Sequence, residues 1–419
     1  MHIAFVVGGL PGPAYHGGAV TCWAIIKTAI NQGHKLTIVS LFDNSSSNPY
    51  LASKEQQIKI LHDIGAGVEI MDFESKNLKR DKSFAEKICA RFYPKLEDIF
   101  SFANLQNEGE TRLKKINPDV IFCYHFDVLS AVYKTKSAPI MAGVGDLWHL
   151  PSYFRLQLQK KTIKKIIVYK IFERASIKYM VEMLKPCAKK GAFAAHYAEW
   201  LKKQKGLEST LYLRTPAHDP VGDKWLELRN SYKEKRESKK CKILMIGDIG
   251  TTSTSSGIKE FLNKTIPILE KQIGATGFEI HMVGGGTPSA DIAYDLNKSY
   301  IKIRGRISPA DGEFLSSDAL LVPTPITLGI RVRIISAFSF GCPVVAHKAN
   351  AAGIPELSHE NNSLLADSGE GLGKELVRLL KDSDLKRKLE ENGRLTYEKY
   401  FSERVAAMQI VRELENMSK

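Results

Sequence analysis

The sequence predicts an α/β protein made of two doubly wound halves with a cleft between them. Three observations carry that expectation. Short apolar runs of strand type alternate with helix-length amphipathic segments, the pattern of βαβ units on parallel sheets. The alternation breaks once, over residues 216–240, where a polar run (DKWLELRNSYKEKRESKK) intervenes before it starts again. The chain has 419 residues, long for one core and natural for two, and its 43% hydrophobic content excludes a disordered chain.

In the first half, residues 2–7 (HIAFVV) read as a strand, 8–19 as a Gly/Pro-rich loop, 20–32 as a helix and 35–41 as the next strand. A later unit ends in the strand-like 117–123 (NPDVIFC), followed by a helix and the apolar strand 139–144. Residues 156–184 read as long basic helical structure, 191–195 as a short strand, 196–203 as a helix and 210–214 as the last strand of this half. Residues 216–240 read as a linker in which Trp225 and Leu226 pack partially. The second half begins with strand 242–246, helix 257–271 and strands 278–283, 301–303 and 319–322. Residues 371–395 are helical by pattern. A last amphipathic helix over 397–416 has Phe401, Val405, Met408 and Val411 near one face. The domains expected are 1–215 and 241–396, with 397–419 as a C-terminal helix.

The most informative stretch is 328–357, LGIRVRIISAFSFGCPVVAHKANAAGIPEL. Arg331 and Arg333 stand in a first helical turn, where unpaired N–H groups and the helix dipole favour an anion. Ile334, Ile335, Ala337 and Phe338 recur at helical spacing, Gly341 stops the helix, and residues 343–346 fit a buried strand. Such a unit suits a diphosphate at a strand–helix junction; an ordinary crossover with solvated arginines has the same pattern. Gly17 and Gly18, ahead of a helix, let the backbone approach a ligand, or form a simple turn. Asp146 and His149 follow strand 139–144, placed to face a cleft, or to cap and pack.

The 328–357 segment resembles the nucleotide-binding signature of retaining glycosyltransferases of the GT-B fold, the family-four group (glycosyl transferases group 1). Gly341, Pro343, Val344, Val345, Gly353, Pro355 and Glu356 match it. The signature's two Glu positions hold Leu328 and Ser336. The resemblance covers nearly the whole chain and implies two Rossmann-like domains facing a central cleft, with the last helix packing back on the first domain. It implies a nucleotide-diphosphate sugar as donor substrate, retention of anomeric configuration, and no metal or other cofactor. Gly17 and Gly18 match a family glycine pair. Gly285, within the run 284–286, resembles the strand-end glycines, while Arg306 and Ile307 match the loop whose backbone cups the base. Ser336 falls where the ribose is normally held, and the Glu356 loop faces the donor. Asp146 is nearest the family's strand-end His-Asp, and His149 brings a ring a turn later; either suits an acceptor hydroxyl. The early second-domain loop has Asp248 and Ser256 where many members carry cations, so Arg331 and Arg333 are expected to take the diphosphate.

Charge is uneven. Residues 151–205 hold fourteen Lys/Arg against Glu173, Glu182 and Glu199, most of the chain's net +14. Over 156–184 the lysines interleave with isoleucines, as in a helix on an anionic membrane surface or a domain helix with a solvated cationic face. Nucleic acid is the weaker partner, since no binding motif accompanies the charge. Six scattered cysteines without CxxC pairs, a start directly on a strand and no long apolar run point to a cytoplasmic protein, peripheral at most on the inner membrane face. The function expected is sugar transfer to a saccharide or lipid-linked acceptor in surface polysaccharide or glycolipid synthesis. A sugar-nucleotide epimerase, a nucleic-acid glycosyltransferase and a non-catalytic sugar-nucleotide-binding protein are the alternatives.

Overall fold

The computed structural model describes residues 1–12, 17–44, 53–74, 83–158, 162–288, 290–293 and 295–418. Part of the expected loop 8–19, and Lys160 and Lys161 of the basic segment, lie outside them. The chain divides into two compact units, Met1–Arg214 with Ala406–Lys419, and Thr215–Val405.

The first unit is built on a seven-stranded sheet: β1 (His2–Gly8), β2 (Lys35–Asp43), β3 (Gly67–Phe73), β4 (Val120–Tyr124), β5 (Ile140–Val144), β6 (Lys189–Ala192) and β7 (Leu211–Tyr212). The order is β3-β2-β1-β4-β5-β6-β7 with every pair parallel, so the winding reverses between β1 and β4. Strand β4 shows why both faces must be covered. Its VIFCY run is buried throughout. Ile121 and Cys123 enter one core with Met180 and Leu184, while Val120, Phe122 and Tyr124 enter the other with Phe5 and Ile26. Two-residue periodicity divides one apolar run between two cores.

The expected helix 397–416 is broken. Helix Ser383–Tyr400 stops where the Phe401 and Ser402 amides both return to the Tyr397 carbonyl, at 2.8 and 2.9 Å. Phe401 is buried in the core of the second unit. After a wide turn over Glu403–Ala407, a new helix Met408–Glu415 buries Ile410, Val411 and Leu414 in the first unit's core. It is tied there by Glu415 to His34 (2.9 Å) and Glu413 to Lys189 (3.0 Å). One apolar stripe thus serves two cores, and an unbroken helix does not provide that.

The second unit has a six-stranded sheet of β8 (Cys241–Ile246), β9 (Phe278–Val283), β10 (Ile301–Gly305), β11 (Ala319–Val322), β12 (Val344–His347) and β13 (Leu364–Ala366). Its order is β10-β9-β8-β11-β12-β13, again all parallel, with the reversal between β8 and β11. The expected linker 216–240 belongs to this unit and contains helix Trp225–Glu234. Its charges point inward. Arg229, fully buried, donates to the Phe314 and Ser317 carbonyls (3.0 and 2.9 Å) and to Glu390 (2.9 Å), which also takes Lys233 at 2.7 Å. A polar run looks like a linker in sequence because a buried ion network has the same composition as a solvated segment. The helix expected at 257–271 begins earlier, at Thr252. Gly257 lets it approach the strand end, since a Cβ there would lie 2.2 Å from the Pro323 carbonyl.

Candidate functional site

The carboxyl ends of β8, β9 and β11 open onto a recess in the second unit with about 550 Å³ of empty space, partly continuous with solvent. It lies where strand order reverses, the place at which loops diverge and leave a crevice. Met245, Met282 and Leu321 give it an apolar wall; Gly247, Gly285, Thr254 and Arg333 give it a polar one. Backbone crowding explains the glycines. A Cβ on Gly284 (φ +150°) would stand 2.1 Å from the Gly247 carbonyl, and one on Gly247 (φ +145°) would stand 2.3 Å from Arg333 Nη1.

Arg333 is the second residue of helix Val332–Ser339. Its Nη1 donates to the Ile246 carbonyl at the end of β8, and its Nη2 lies 3.4 Å from Thr254 Oγ1. Thr254 stands in the first turn of helix Thr252–Glu260, so the guanidinium joins two helix starts. Among the described residues no carboxylate pairs with Arg333. Burial, and then the neighbouring Arg331 cation, push its pKa down to about 9. A half-buried cation with this surrounding favours an anion in the recess, and helix N-termini add to that potential.

The two arginines do not line the recess together. Arg331 is 7% exposed, donates from Nη1 to the Leu328 carbonyl at 2.5 Å and lies outside the recess lining. Residues two apart at a helix start point to different sides. Of the other expected donor groups, Gly285 lines the recess, whereas Arg306, Ile307, Ser336 and Glu356 do not. Ile307 packs on the core, and Ile303 of β10 lines the recess instead. Ser336 is half-buried one turn after Arg333, and Glu356 is half-buried with its carbonyl accepting from Asn362 at 2.8 Å. Gly353 lets the Glu356 loop pass close to Gly329, whose carbonyl would be 2.7 Å from a Cβ. Asp248 folds onto its own loop, accepting from the Gly250 amide at 2.8 Å.

In the first unit Gly17 and Gly18 begin helix Gly17–Asn31, which follows β1, one of the two strands at the reversal. Asp146 is exposed just past β5. His149 is not brought to it: that side chain is 5% exposed, its ring lies 5.8 Å from the Trp200 ring, and its charged neighbours are Glu173 and Lys170. Burial lowers its pKa.

A histidine that sequence reasoning passed over stands nearer. His125, directly after β4, has φ 81° and lays its ring over Gly145, where a Cβ would be 1.8 Å from Cε1. Burial pulls its pKa down to about 4, with the Asp146 carboxylate acting against the shift. Two residues on, the Asp127 carboxyl is pushed up by burial, and its Oδ1 has no hydrogen-bond partner among the described residues. The available signal was position, a histidine immediately after a wholly apolar strand.

Burial thus holds the folded imidazole at about 4, below the ordinary 6.5 of a histidine in water. The unfolded chain therefore holds more protons between these values, and stability rises with pH across that window. It is fully present above pH 6.5 and lost as pH falls towards 4, by up to about 3 kcal/mol. His125→Gln should flatten this limb when Tm is followed against pH; an unchanged limb would place the imidazole in water.

Residues 240–382 match the family model described as glycosyl transferases group 1. No curated protein matches the chain. Among solved structures, a glycosyltransferase from Rickettsia africae ESF-5 is 16% identical over 100% of this chain and 98% of that one, with a TM-score of 0.65. Anabaena HepE in complex with UDP and glucose is 12% identical over 99% of each chain, TM-score 0.64. Sucrose-phosphate synthase from Thermosynechococcus elongatus is 12% identical over 99% of this chain and 98% of the other, TM-score 0.69. Identities this low speak for the fold. The chain has the GT-B fold, and residues 240–382, the part that builds the recess, are similar to the glycosyl transferases group 1 family.

Proposed function

We propose that the protein is a glycosyltransferase that moves a sugar from a nucleotide-diphosphate sugar to a hydroxyl acceptor. The observation that carries this reading is Arg333, a guanidinium without a carboxylate partner among the described residues, set in a recess between two helix starts within the matched family domain. In the reaction the bond from the anomeric carbon to the diphosphate oxygen breaks, and its electron pair leaves with the nucleoside diphosphate. The acceptor oxygen bonds to that carbon, and its proton passes to the departing diphosphate. Arg333 and the helix-start amides stabilise the charge that develops on the leaving oxygen, a preorganised electrostatic role.

Gly285 and Thr254 border the diphosphate in this reading, and Ser336, Arg306, Ile307 and Glu356 stand further out, around ribose, base and sugar. Gly17, Gly18, Asp146 and His125 are assigned to the acceptor, with His125 taking the part expected of His149. The configuration at the anomeric carbon is retained, and no metal or organic cofactor is assigned. HepE, of the same fold, is described with UDP and glucose, which makes a UDP-sugar the first donor to test. The acceptor is a saccharide or lipid-linked saccharide of surface polysaccharide or glycolipid synthesis, and the location is cytoplasmic.

A thermal-shift series with UDP-, GDP-, ADP- and CMP-sugars tests the reading, since a ligand that binds the folded state raises its stability by about 2.7 kcal/mol at a hundred times Kd. One donor class is expected to raise Tm; no response to any would remove the donor assignment. Leu328, buried, and Ser336 in place of the signature's acids favour one second reading, a binding protein without turnover. Donor binding with no transfer to any acceptor selects it.

A further inference from the structure

Several exposed large apolar side chains fall within one short stretch of the first unit. Leu158 is 52% exposed, Ile163 79% and Ile167 51%, with Ile166 and Val168 exposed beside them. Leu158 ends helix Leu150–Leu158, and the others form the opening turns of helix Ile163–Leu184. The two helices pack through Tyr153 and Tyr169, whose rings lie 5.8 Å apart. From there the second helix is anchored by Tyr169, Ser176, Met180 and Leu184, all buried. At 3.6 residues per turn the opposite side carries Ile163, Ile167, Lys164, Arg174 and Lys178. All five are exposed, as are Lys165 and Lys170. Glu173 is the one acid between residues 158 and 178, and it is already engaged by Lys170 (2.7 Å) and Tyr169 (2.8 Å).

We propose that this helical end docks the first unit on a bilayer surface rich in anionic lipid. Exposed lysines stand among these exposed apolar chains, the mixture that suits lipid tails and lipid phosphates together. A bilayer needs no matching shape. The apolar chains enter beneath the headgroups while the long cationic chains stay at the lipid phosphates. No helix among the described residues is long and apolar enough to cross a membrane, so the contact is superficial. The inference does not depend on the donor site.

The test is co-sedimentation of the full-length protein with phosphatidylcholine vesicles, with and without phosphatidylglycerol. Sedimentation is expected only with phosphatidylglycerol, weakening as salt rises. Lys164→Glu with Lys165→Glu should reduce partitioning by about thirtyfold or more. Ile163→Ser with Ile167→Ser should reduce it by about tenfold or more, with Tm and the response to donor unchanged. Ile167→Trp should strengthen it. Binding that ignores the serine pair and the tryptophan, equal binding to neutral vesicles, or none to either would overturn the proposal. So would retention of duplex DNA by the same lysines in the absence of vesicle binding.

Discussion

Arg333→Met is expected to cut sharply the rise in Tm that a nucleotide-diphosphate sugar produces, while the unliganded protein becomes slightly more stable. The second half of that outcome separates a ligand-binding cation from a structural one. Burial and Arg331 together oppose the charged form of Arg333, and no carboxylate among the described residues offsets them. An apolar chain of similar length removes that opposition, a gain on the order of 1 kcal/mol. The Ile246 carbonyl loses its donor, but it borders a recess that water enters. Donor binding should weaken by about 1.5–3 kcal/mol, the usual size of a hydrogen bond to a charged group. Transfer should slow by about a hundredfold to a thousandfold if the interaction strengthens in the transition state. An unaltered donor response, with or without a change in stability, would take the diphosphate away from this residue.

Arg229→Ala is expected to give the largest loss of stability, about 3 kcal/mol or more, read as a lower denaturant midpoint for the second unit. Arg229 is fully buried, and its removal strands the Phe314 and Ser317 carbonyls and leaves Glu390 to Lys233 alone. Changing Glu390 to Met as well should recover part of the loss, because the uncompensated carboxylate disappears with it. The pH dependence gives an independent reading. Lys233 is held down to about 8, by burial first and the Arg229 cation next, below the ordinary 10.5 of a lysine in water. The unfolded chain therefore holds more protons between these values, and native stability rises with pH across them. Without Arg229 the Lys233 pKa moves up and that rise shrinks. A rise of unchanged size in Arg229→Ala would show that the guanidinium does not act on Lys233.

Parallel strands were legible where both faces are buried, because Phe5 and Phe122 need no polar alternation and stand out as continuous apolar runs. Strand β3 passed unread: of its residues only Met71 is buried, so its pattern is weak. The linker reading failed at Arg229, since inward and outward charges share one composition. At the site, the helix start and Gly285 could be placed from sequence because caps and glycines are local signals. Which of Arg331 and Arg333 enters the recess depends on a side-chain direction fixed by the packing of β8 and helix Thr252–Glu260, and no spacing rule contains it. His125 was hidden for a similar reason: its partner Gly145 lies just past the end of the neighbouring strand β5, and only their juxtaposition marks it.

The return of residues 406–419 to the first unit has a consequence for synthesis on the ribosome. A chain emerging from its amino end normally completes its domains in order of appearance. Here the second unit, continuous in sequence, can close its core while the first still shows Trp23, Ile26 and Ile38 uncovered beside the place that Ile410, Val411 and Leu414 will take. The amino-terminal half is then finished only once residues 406–419 have followed the second unit out of the tunnel, and a premature stop after residue 405 would harm the part of the protein made first.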